Sequence, residues 1–194
     1  MDKINDIEKA VEILKAGGII AYPTETVYGL GANIFNEQSI IRVFETKSRA
    51  LTNPISIAIS SFEMLERVAY LSREQRKIAK KLLPGPVTII LPKKELVSPL
   101  ITAGSELLGI RFPEHKTAIK IIKKTRFPIT STSANLSGEK EATTYNEVNI
   151  KVDFIVSGKC KYKKPSTILD LTNMRILREG AGIEKVRNIL GINK

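Results

Sequence analysis

The amino-acid sequence predicts a single α/β domain, residues 1–194, with a twisted, open, mixed β-sheet flanked by helices. Short apolar segments of strand length alternate along the chain with amphipathic segments of helical period. The last third holds mostly strand-like segments, which favours a mixed sheet over a purely parallel one. A chain of 194 residues without an internal repeat, a low-complexity tract or a linker is typical of one domain.

Signals for individual elements follow one another along the first half of the chain. Apolar residues at helical spacing predict a helix over 3–16, which Gly17 and Gly18 end. A strand over 19–22, a loop over 23–31, a helix that begins near 36 and a strand over 55–59 come next. The residues expected to face inward from that second helix are Ile40, Ile41, Val43 and Phe44.

Capping signals and prolines delimit the elements that follow. The sequences Ser60-x-x-Glu63 and Ser72-x-x-Gln75 are of capping-box type, and each predicts the start of an amphipathic helix. The second of these helices ends at 82–86, where two prolines prevent its continuation. Further strands are predicted over 87–91, 109–112, 128–130, 154–156, 167–171 and 175–177, and further helices over 116–124 and 183–190.

The residue counts exclude several kinds of chemistry. One histidine and one cysteine cannot form a Cys/His zinc site, which needs about three or four ligands. The single Cys160 cannot form an internal disulfide, which suits a reducing compartment. The first residues alternate in charge instead of forming a signal peptide, and no segment approaches the roughly 18 apolar residues of a membrane span. We therefore expect a soluble cytoplasmic protein.

The excess of positive charge has two readings. The chain has 31 Lys and Arg against 20 Asp and Glu, a formal net charge of +11. Three basic clusters stand out: Arg73, Arg76, Lys77, Lys80 and Lys81; residues 116–126; and Lys159, Lys161, Lys163 and Lys164. Such clusters are typical of solvated helix and loop faces, but they also fit a polyanion partner such as a nucleotide or an RNA.

Polar and cationic residues recur where the predicted elements end. They are Thr24, Thr26, Lys47, Arg49, Arg111, Ser131, Thr132, Ser133, Asn135, Ser166, Thr167 and Arg178. Because ligands of open α/β sheets bind at strand ends, these segments plausibly converge on one cleft. Hydroxyl, guanidinium and ammonium groups together suit a phosphate compound. Each short run alone is more typical of turns and helix caps.

The isolated candidates for chemistry are weak. No Walker A sequence is present, and Gly29-Leu30-Gly31 alone is a poor phosphate-loop signal. Glu25 is either a structural acid or a contact to Mg²⁺ through water. His115 fits a capping or surface role better than catalysis, and Cys160 is interpreted as incidental although its neighbouring lysines could lower the pKa of its thiol.

Seven motifs in order make a more specific pattern. They are Ala21-Tyr22-Pro23-Thr24-Glu25-Thr26-Val27-Tyr28-Gly29-Leu30-Gly31, Lys47-Ser48-Arg49 with Asn53-Pro54, Leu83-Pro84-Gly85-Pro86-Val87-Thr88, Gly109-Ile110-Arg111-Phe112-Pro113-Glu114-His115, Ser131-Thr132-Ser133-Ala134-Asn135-Leu136-Ser137-Gly138, Pro165-Ser166-Thr167-Ile168-Leu169-Asp170 and Ile176-Leu177-Arg178-Glu179-Gly180. This ordered set, from about 20 to 180, resembles the threonylcarbamoyl-AMP synthase (YrdC-like) family in its short single-domain form.

The resemblance implies a YrdC-like fold, a mixed sheet around a basic cavity, and an ATP-dependent reaction. L-Threonine, bicarbonate or CO₂, and ATP would give L-threonylcarbamoyladenylate and pyrophosphate. The product would supply the threonylcarbamoyl group of a modified adenosine beside the tRNA anticodon, which a separate tRNA-modifying machinery transfers. Mg²⁺ would arrive with ATP, and no metal held by the protein alone is expected.

The resemblance also assigns roles to single residues. Lys47, Arg49, Ser133 and Asn135 would form the catalytic group around the nucleotide and the reaction centre. Thr26, Arg111, Ser131 and Ser166 would bind threonine, with Arg111 on its carboxylate. Arg49, Asn53, Leu107, Ser133, Glu141 and Arg178 would bind ATP.

Two departures from the family pattern stand beside these assignments. Many relatives have His at the position of Ala58, so a threonine contact is expected to be missing or replaced by water. The usual Ser-Pro-Thr is Glu141-Ala142-Thr143 here, which leaves the role of that loop open.

The alternative function is a basic RNA-binding module with a vestigial pocket, although RRM and KH signatures are absent. Weak RNA or tRNA binding beside the main activity also stays open.

Overall fold

Helices and strands alternate along the described chain. The structure, a computed structural model, describes residues 3–192. The helices are α1 (Lys3–Lys15), α2 (Glu37–Thr46), α3 (Phe62–Val68), α4 (Arg73–Leu82), α5 (Pro99–Thr102), α6 (Lys116–Thr125) and α7 (Ile183–Leu190). The strands are β1 (Ile20–Tyr22), β2 (Gly29–Gly31), β3 (Ile57–Ala58), β4 (Val87–Pro92), β5 (Leu107–Arg111), β6 (Ile129–Thr130), β7 (Thr132–Ser133), β8 (Phe154–Ile155), β9 (Thr167–Asp170) and β10 (Arg175–Arg178). The predicted α/β class is confirmed.

The strands form two sheets, and both are mixed. The larger sheet has the order β10-β9-β4-β5-β3-β6, with β4 parallel to β9 and antiparallel to β5. The smaller sheet has the order β7-β2-β1-β8, with β1 antiparallel to β2 and parallel to β8. The mixed character was predicted, whereas the division into two sheets was not, because strand pairing is not visible in a single sequence.

The central strands of the larger sheet separate the core from an open cavity. On β4, Ile89 and Leu91 are buried in the core, whereas Thr88 and Ile90 line the cavity. The same alternation on β5 brings Arg111 to the cavity side. Because successive side chains of a strand point to opposite faces, one face of this sheet packs the core and the other is the cavity floor.

Side-chain caps mark where the helices begin. Asn36 caps α2, since its Oδ1 accepts a hydrogen bond from the backbone N–H three residues later at 3.0 Å. Ser72 and Gln75 form the capping box predicted for α4. The prediction that Ser60 begins α3 is wrong, because the oxygen of Ser61 accepts the capping bond at 3.2 Å.

The inward face of α2 is narrower than expected. Ile40, Val43 and Phe44 are buried, as predicted. Ile41 is 39% exposed, so its predicted inward orientation is wrong. Adjacent helical residues lie about 100° apart around the axis, and the buried stripe of Ser39, Ile40, Val43 and Phe44 does not extend to Ile41.

The end of the loop predicted over 23–31 is in fact strand β2, and close packing explains its glycines. A Cβ atom on Gly29 would lie 2.9 Å from Cζ of Tyr22, and one on Gly31 would lie 3.0 Å from Cε1 of the same ring. The Tyr22 hydroxyl donates a hydrogen bond to the carbonyl oxygen of Thr130 at 3.1 Å. The Gly29-Leu30-Gly31 sequence therefore admits a buried tyrosine ring against β2.

Three short elements carry no signal in the sequence. They are α5, β7 and a 3₁₀ turn at Tyr145–Glu147. Each has four residues or fewer, which is too short for a period to show. In residues 3–192, no helix combines the length and the apolar character that crossing a membrane requires.

Candidate functional site

A cavity of about 350 Å³ opens over the floor of the larger sheet. This volume lies within the roughly 300–1,000 Å³ usual for small-molecule sites. Nine of the twelve residues predicted to bind substrates or take part in catalysis line it: Thr26, Arg49, Leu107, Arg111, Ser131, Ser133, Glu141, Ser166 and Arg178. The other three, Lys47, Asn53 and Asn135, are not among the lining residues. The expected convergence of the strand ends is therefore seen.

Arg111 is held in a buried ion pair. Its Nη2 donates to Oε1 of Glu25 at 2.6 Å, and its Nη1 donates to Oγ1 of Thr26 at 3.2 Å. The Oγ1 atoms of Thr26 and Thr24 are hydrogen-bonded at 2.9 Å. Among the described residues, Glu25 Oε2 and Arg111 Nε have no hydrogen-bond partner. Of the two roles left open for Glu25, the ion pair supports the structural one.

Ser166 connects the cavity floor to Arg178. The hydroxyls of Ser166 and Thr88 are hydrogen-bonded at 2.8 Å. Arg178 donates to the Ser166 carbonyl oxygen from Nε at 3.2 Å and from Nη2 at 2.9 Å. Burial lowers the pKa of Arg178, and the charge of Glu141 opposes that shift. A residue predicted to bind threonine and one predicted to bind ATP are thus in direct contact.

Arg49 is oriented by backbone carbonyl groups. Its Nε donates to the carbonyl oxygen of Asn53 at 3.1 Å, and its Nη2 donates to that of Pro54 at 2.8 Å. Burial lowers the pKa of the Arg49 guanidinium. Asn53 itself is exposed. In this structure Asn53 therefore acts through its backbone, by positioning Arg49.

Lys47 lies beneath the segment that carries Ser133 and Asn135. It is 2% exposed, and its ammonium donates to the backbone carbonyl oxygens of both residues. Burial, and to a smaller extent the charge of Arg49, lower the pKa of Lys47 to about 8, while Glu141 opposes the shift. The ammonium thus holds the loop from below.

The amide of Asn135 is also engaged within its own loop. Its Nδ2 donates to the carbonyl oxygens of Leu136 at 3.0 Å and Glu139 at 2.7 Å. Its Oδ1 lies 3.4 Å from the ammonium of Lys47. Of the four residues predicted as catalytic, Arg49 and Ser133 line the cavity, and Lys47 and Asn135 support the loop behind it.

Ser131 and Ala58 both lie on the β3 side of the strand that carries Arg111. The backbone N–H of Ser131 donates to the Ser56 carbonyl oxygen at 2.7 Å, and the Ser56 hydroxyl donates to the Ser131 carbonyl oxygen at 3.1 Å. Ala58 is fully buried and pairs in register with Arg111 across β3 and β5. The position at which many relatives have His is therefore next to Arg111 across the sheet.

The loop that departs from the family pattern is anchored at its middle. Glu141 lines the cavity, while Ala142 is buried and its carbonyl oxygen accepts from the backbone N–H of Tyr28 at 2.8 Å. The Thr143 hydroxyl donates to Oε2 of Glu147 at 2.8 Å. These bonds hold Glu141 at the cavity wall.

Three polar lining residues were not singled out from the sequence: Ser56, Thr88 and Ser105. Thr88 had a signal, because a polar residue between apolar ones in a strand marks the face opposite the core. Ser56 had the same signal within the strand predicted over 55–59, whereas Ser105 had none, since it lies in a short connection whose direction depends on tertiary packing.

The remaining candidates stay outside the cavity. Burial raises the pKa of the Cys160 thiol to about 11, so the neighbouring lysines do not activate it. His115 is the N-cap of α6 and makes no side-chain capping bond. No residue of the three basic clusters lines the cavity. Within the described residues, no group of three or more His, Cys, Asp or Glu could hold a metal ion.

The fold and the cavity together define a mixed α/β protein with an open cavity lined by three arginines and several hydroxyl groups. The family model Sua5_yciO_yrdC, described as "Telomere recombination", matches residues 12–180. The chain therefore belongs to the Sua5/YciO/YrdC family, and the resemblance seen in the motifs is confirmed.

Two curated relatives carry a more specific name. Threonylcarbamoyl-AMP synthase of Pyrococcus abyssi is 38% identical over 194 residues, a match that covers 95% of this chain and 57% of that protein. The putative threonylcarbamoyl-AMP synthase of Methanocaldococcus jannaschii is 35% identical over 192 residues, covering 94% and 90% respectively. The chain thus spans little more than half of the first relative and most of the second.

Solved structures agree with the family. P. abyssi Sua5 complexed with L-threonine has a TM-score of 0.91 and 36% identity, with 100% of this chain and 59% of that chain covered. E. coli YciO has a TM-score of 0.83 and 26% identity, with 92% and 90% covered.

Proposed function

We propose that the protein is a nucleotidyltransferase that makes L-threonylcarbamoyladenylate from L-threonine, bicarbonate or CO₂, and ATP, with release of pyrophosphate. The observation that carries the proposal is the cavity, at which nine of the residues assigned to substrates or catalysis by the family resemblance converge. The names of the two relatives and the threonine complex of P. abyssi Sua5 support the choice of substrates.

The cavity residues divide between the two larger substrates. Arg111, with Thr26, Ser131 and Ser166 around it, would bind the threonine carboxylate through its remaining N–H groups. Arg49 and Arg178 would neutralise the triphosphate, with Leu107, Ser133 and Glu141 completing the ATP site. The contact between Arg178 and Ser166 would keep the two substrates next to each other.

The reaction needs alignment more than a catalytic base. The threonine amine adds to CO₂ and releases a proton, which gives a carbamate. A carbamate oxygen then forms a bond to the α-phosphorus of ATP, and the bond from that phosphorus to the bridging oxygen of pyrophosphate breaks. Because the carbamate is already anionic, the residues named above contribute mainly orientation and charge neutralisation.

Mg²⁺ would enter with ATP. Glu141 is the sole carboxylate among the described lining residues, which fits an ion held chiefly by phosphate oxygens. When bound, the ion would share the neutralisation of the triphosphate with Arg49 and Arg178. Lys47 and Asn135 would not contact the substrates but would hold the loop that carries Ser133 in place.

The product would serve tRNA modification. We propose that a separate machinery transfers the threonylcarbamoyl group to the adenosine beside the anticodon. The free, buried Cys160 suits the cytoplasm, where thiols stay reduced.

The test is an assay with purified protein, ATP, Mg²⁺, threonine and bicarbonate. We expect pyrophosphate release that requires both threonine and bicarbonate, with threonylcarbamoyladenylate detected by mass spectrometry. Release that continues without either compound, or folded protein that makes no adduct, would reject the proposal.

A further inference from the structure

The ion pair between Glu25 and Arg111 is the most buried one in the described chain. The side chains of Arg111 and Glu25 are 6% and 3% exposed. The next most buried pair, Arg187 with Glu179, has side chains 20% and 60% exposed. The charge of Arg111 is therefore balanced inside the protein, before any ligand binds.

Glu25 is also fixed through its backbone. Its carbonyl oxygen accepts hydrogen bonds from the backbone N–H groups of Lys161 at 3.0 Å and Tyr162 at 2.8 Å. The side chain of the neighbouring Thr26 accepts from the same guanidinium. These main-chain bonds fix the backbone of Glu25 beside Arg111, and the bond from the guanidinium orients its carboxylate.

The other two arginines that line the cavity differ from Arg111 in their hydrogen-bond partners. Arg49 donates to the carbonyl oxygens of Asn53 and Pro54, and Arg178 donates to Ser166. In residues 3–192 neither guanidinium has a carboxylate oxygen within 4.0 Å. Neither arginine is therefore paired directly with a carboxylate, whereas Arg111 forms an ion pair with Glu25.

We propose that Glu25 is a specificity-determining positioning residue that makes the Arg111 subsite neutral and so reserves it for a zwitterionic amino acid. The two unpaired arginines form a second subsite with net positive charge, suited to phosphate groups. This inference rests on the proposed function, because it takes Arg111 as the group that binds the threonine carboxylate.

Electrostatics supplies the reason. An amino acid with one carboxylate and one ammonium group has no net charge, so a neutral buried site accepts it without an uncompensated charge. A phosphate dianion in the same site would meet the negative charge of Glu25 at short range and low dielectric. Arg111 lines the cavity and keeps N–H groups beyond those used on Glu25 and Thr26, so the pairing lowers the attraction of the site for polyanions while it holds the guanidinium in place for the threonine carboxylate.

The experiment measures L-threonine binding by calorimetry on the full chain, with and without inorganic phosphate and in the absence of ATP. Glu25→Gln removes the negative charge at nearly constant shape. Glu25→Asp keeps the charge but withdraws it from Arg111 by one methylene. Glu95→Gln, at an exposed site outside the cavity, is the control for a change of net charge.

For the wild type and Glu95→Gln we expect threonine binding that phosphate does not displace. For Glu25→Gln we expect weaker threonine binding, by roughly tenfold, and phosphate that now competes with threonine. For Glu25→Asp the same two changes should appear at a few-fold scale, which keeps the proposal testable if Glu25→Gln fails to fold.

Other outcomes overturn the inference. If the folded variants bind threonine more weakly but phosphate still does not compete with it, Glu25 has only a structural role. If phosphate competes with threonine no better in either variant than in the wild type, Glu25 does not set the selectivity. Wild-type protein that binds no threonine would instead contradict the proposed function, so the two failures are distinguishable.

Discussion

The ammonium of Lys47 lies under Asn135, donating to its backbone carbonyl oxygen at 2.6 Å and lying 3.4 Å from its Oδ1. The carbonyl oxygen of Ser133 accepts a further bond from the same ammonium. In the other direction, the backbone N–H of Ser137 donates to the Lys47 carbonyl oxygen at 2.9 Å. One residue at the end of α2 thus holds the segment 133–137, which brings Ser133 to the cavity.

Lys47→Met should destabilise the protein. Methionine fills a similar volume but leaves the carbonyl oxygens of Ser133 and Asn135 buried without this donor, so we expect a loss of about 2–4 kcal/mol in the free energy of unfolding. Denaturant unfolding measures it. Lys80→Met, on the exposed face of α4, should change stability by only about 0.5 kcal/mol. Equal effects of the two substitutions would contradict the role of Lys47.

The stability difference between wild type and Lys47→Met should also depend on pH. The pKa of Lys47 falls from 10.5 to about 8 on folding, so between these values the unfolded chain binds more protons than the folded one. Stability contributed by this residue must therefore rise with pH across that window, by about 3 kcal/mol in total, and be constant below it. Unfolding of both proteins at pH 7, 8, 9 and 10 tests this. A difference that shrinks as pH rises would refute the lowered pKa.

Arg178→Met should weaken the binding of both ATP and threonine in the proposed reaction. The substitution removes the positive charge proposed for ATP, so KM for ATP should rise roughly tenfold or more. It also removes the bonds to the Ser166 carbonyl oxygen, so KM for threonine should rise a few-fold. Arg175→Met, an exposed position on the same strand, is the matched control. If only kcat changes, Arg178 does not contribute to ground-state binding.

The sequence predicted most elements because local signals coincide with the structure. Ser72 and Gln75 cap α4 as expected, and the prolines after Leu82 end that helix. The strand-end rule anticipated that Thr26, Arg111 and other polar residues would converge. These features depend on periodicity and on neighbours close in the chain.

Features that depend on side-chain direction were not predictable in the same way. Glu25 and Arg111 are 86 positions apart, and nothing in either motif indicates that the two charges pair. Lys47 carries the expected charge, but its orientation beneath the loop follows from how α2 packs against residues 133–137. Ser105 was not predictable for the same reason, because it lies in the short connection between α5 and β5.

Ser61→Ala should destabilise the protein more than Ser60→Ala does. The oxygen of Ser61 accepts the hydrogen bond of the backbone N–H of Met64, so its removal leaves a helix N-terminus uncapped at a cost of about 1 kcal/mol. Ser60 makes no such bond and should change stability by a few tenths of that value. Thermal or denaturant unfolding of the two single variants decides between the neighbouring serines. A larger loss of unfolding free energy for Ser60→Ala would show that Ser60, as the sequence predicted, is the cap of α3.

Gly29→Ala should destabilise the smaller sheet through one contact. The added Cβ would lie 2.9 Å from Cζ of Tyr22, and the ring is fully buried and bonded to Thr130, so it has little room to move. We expect a loss of about 1–3 kcal/mol, as for other overpacked sites. Tyr22→Leu removes the clashing ring atoms, and in that background the same glycine substitution should cost much less. A double-mutant cycle of unfolding free energies measures the coupling, and additive effects within about 0.5 kcal/mol would show that the glycine is needed for another reason.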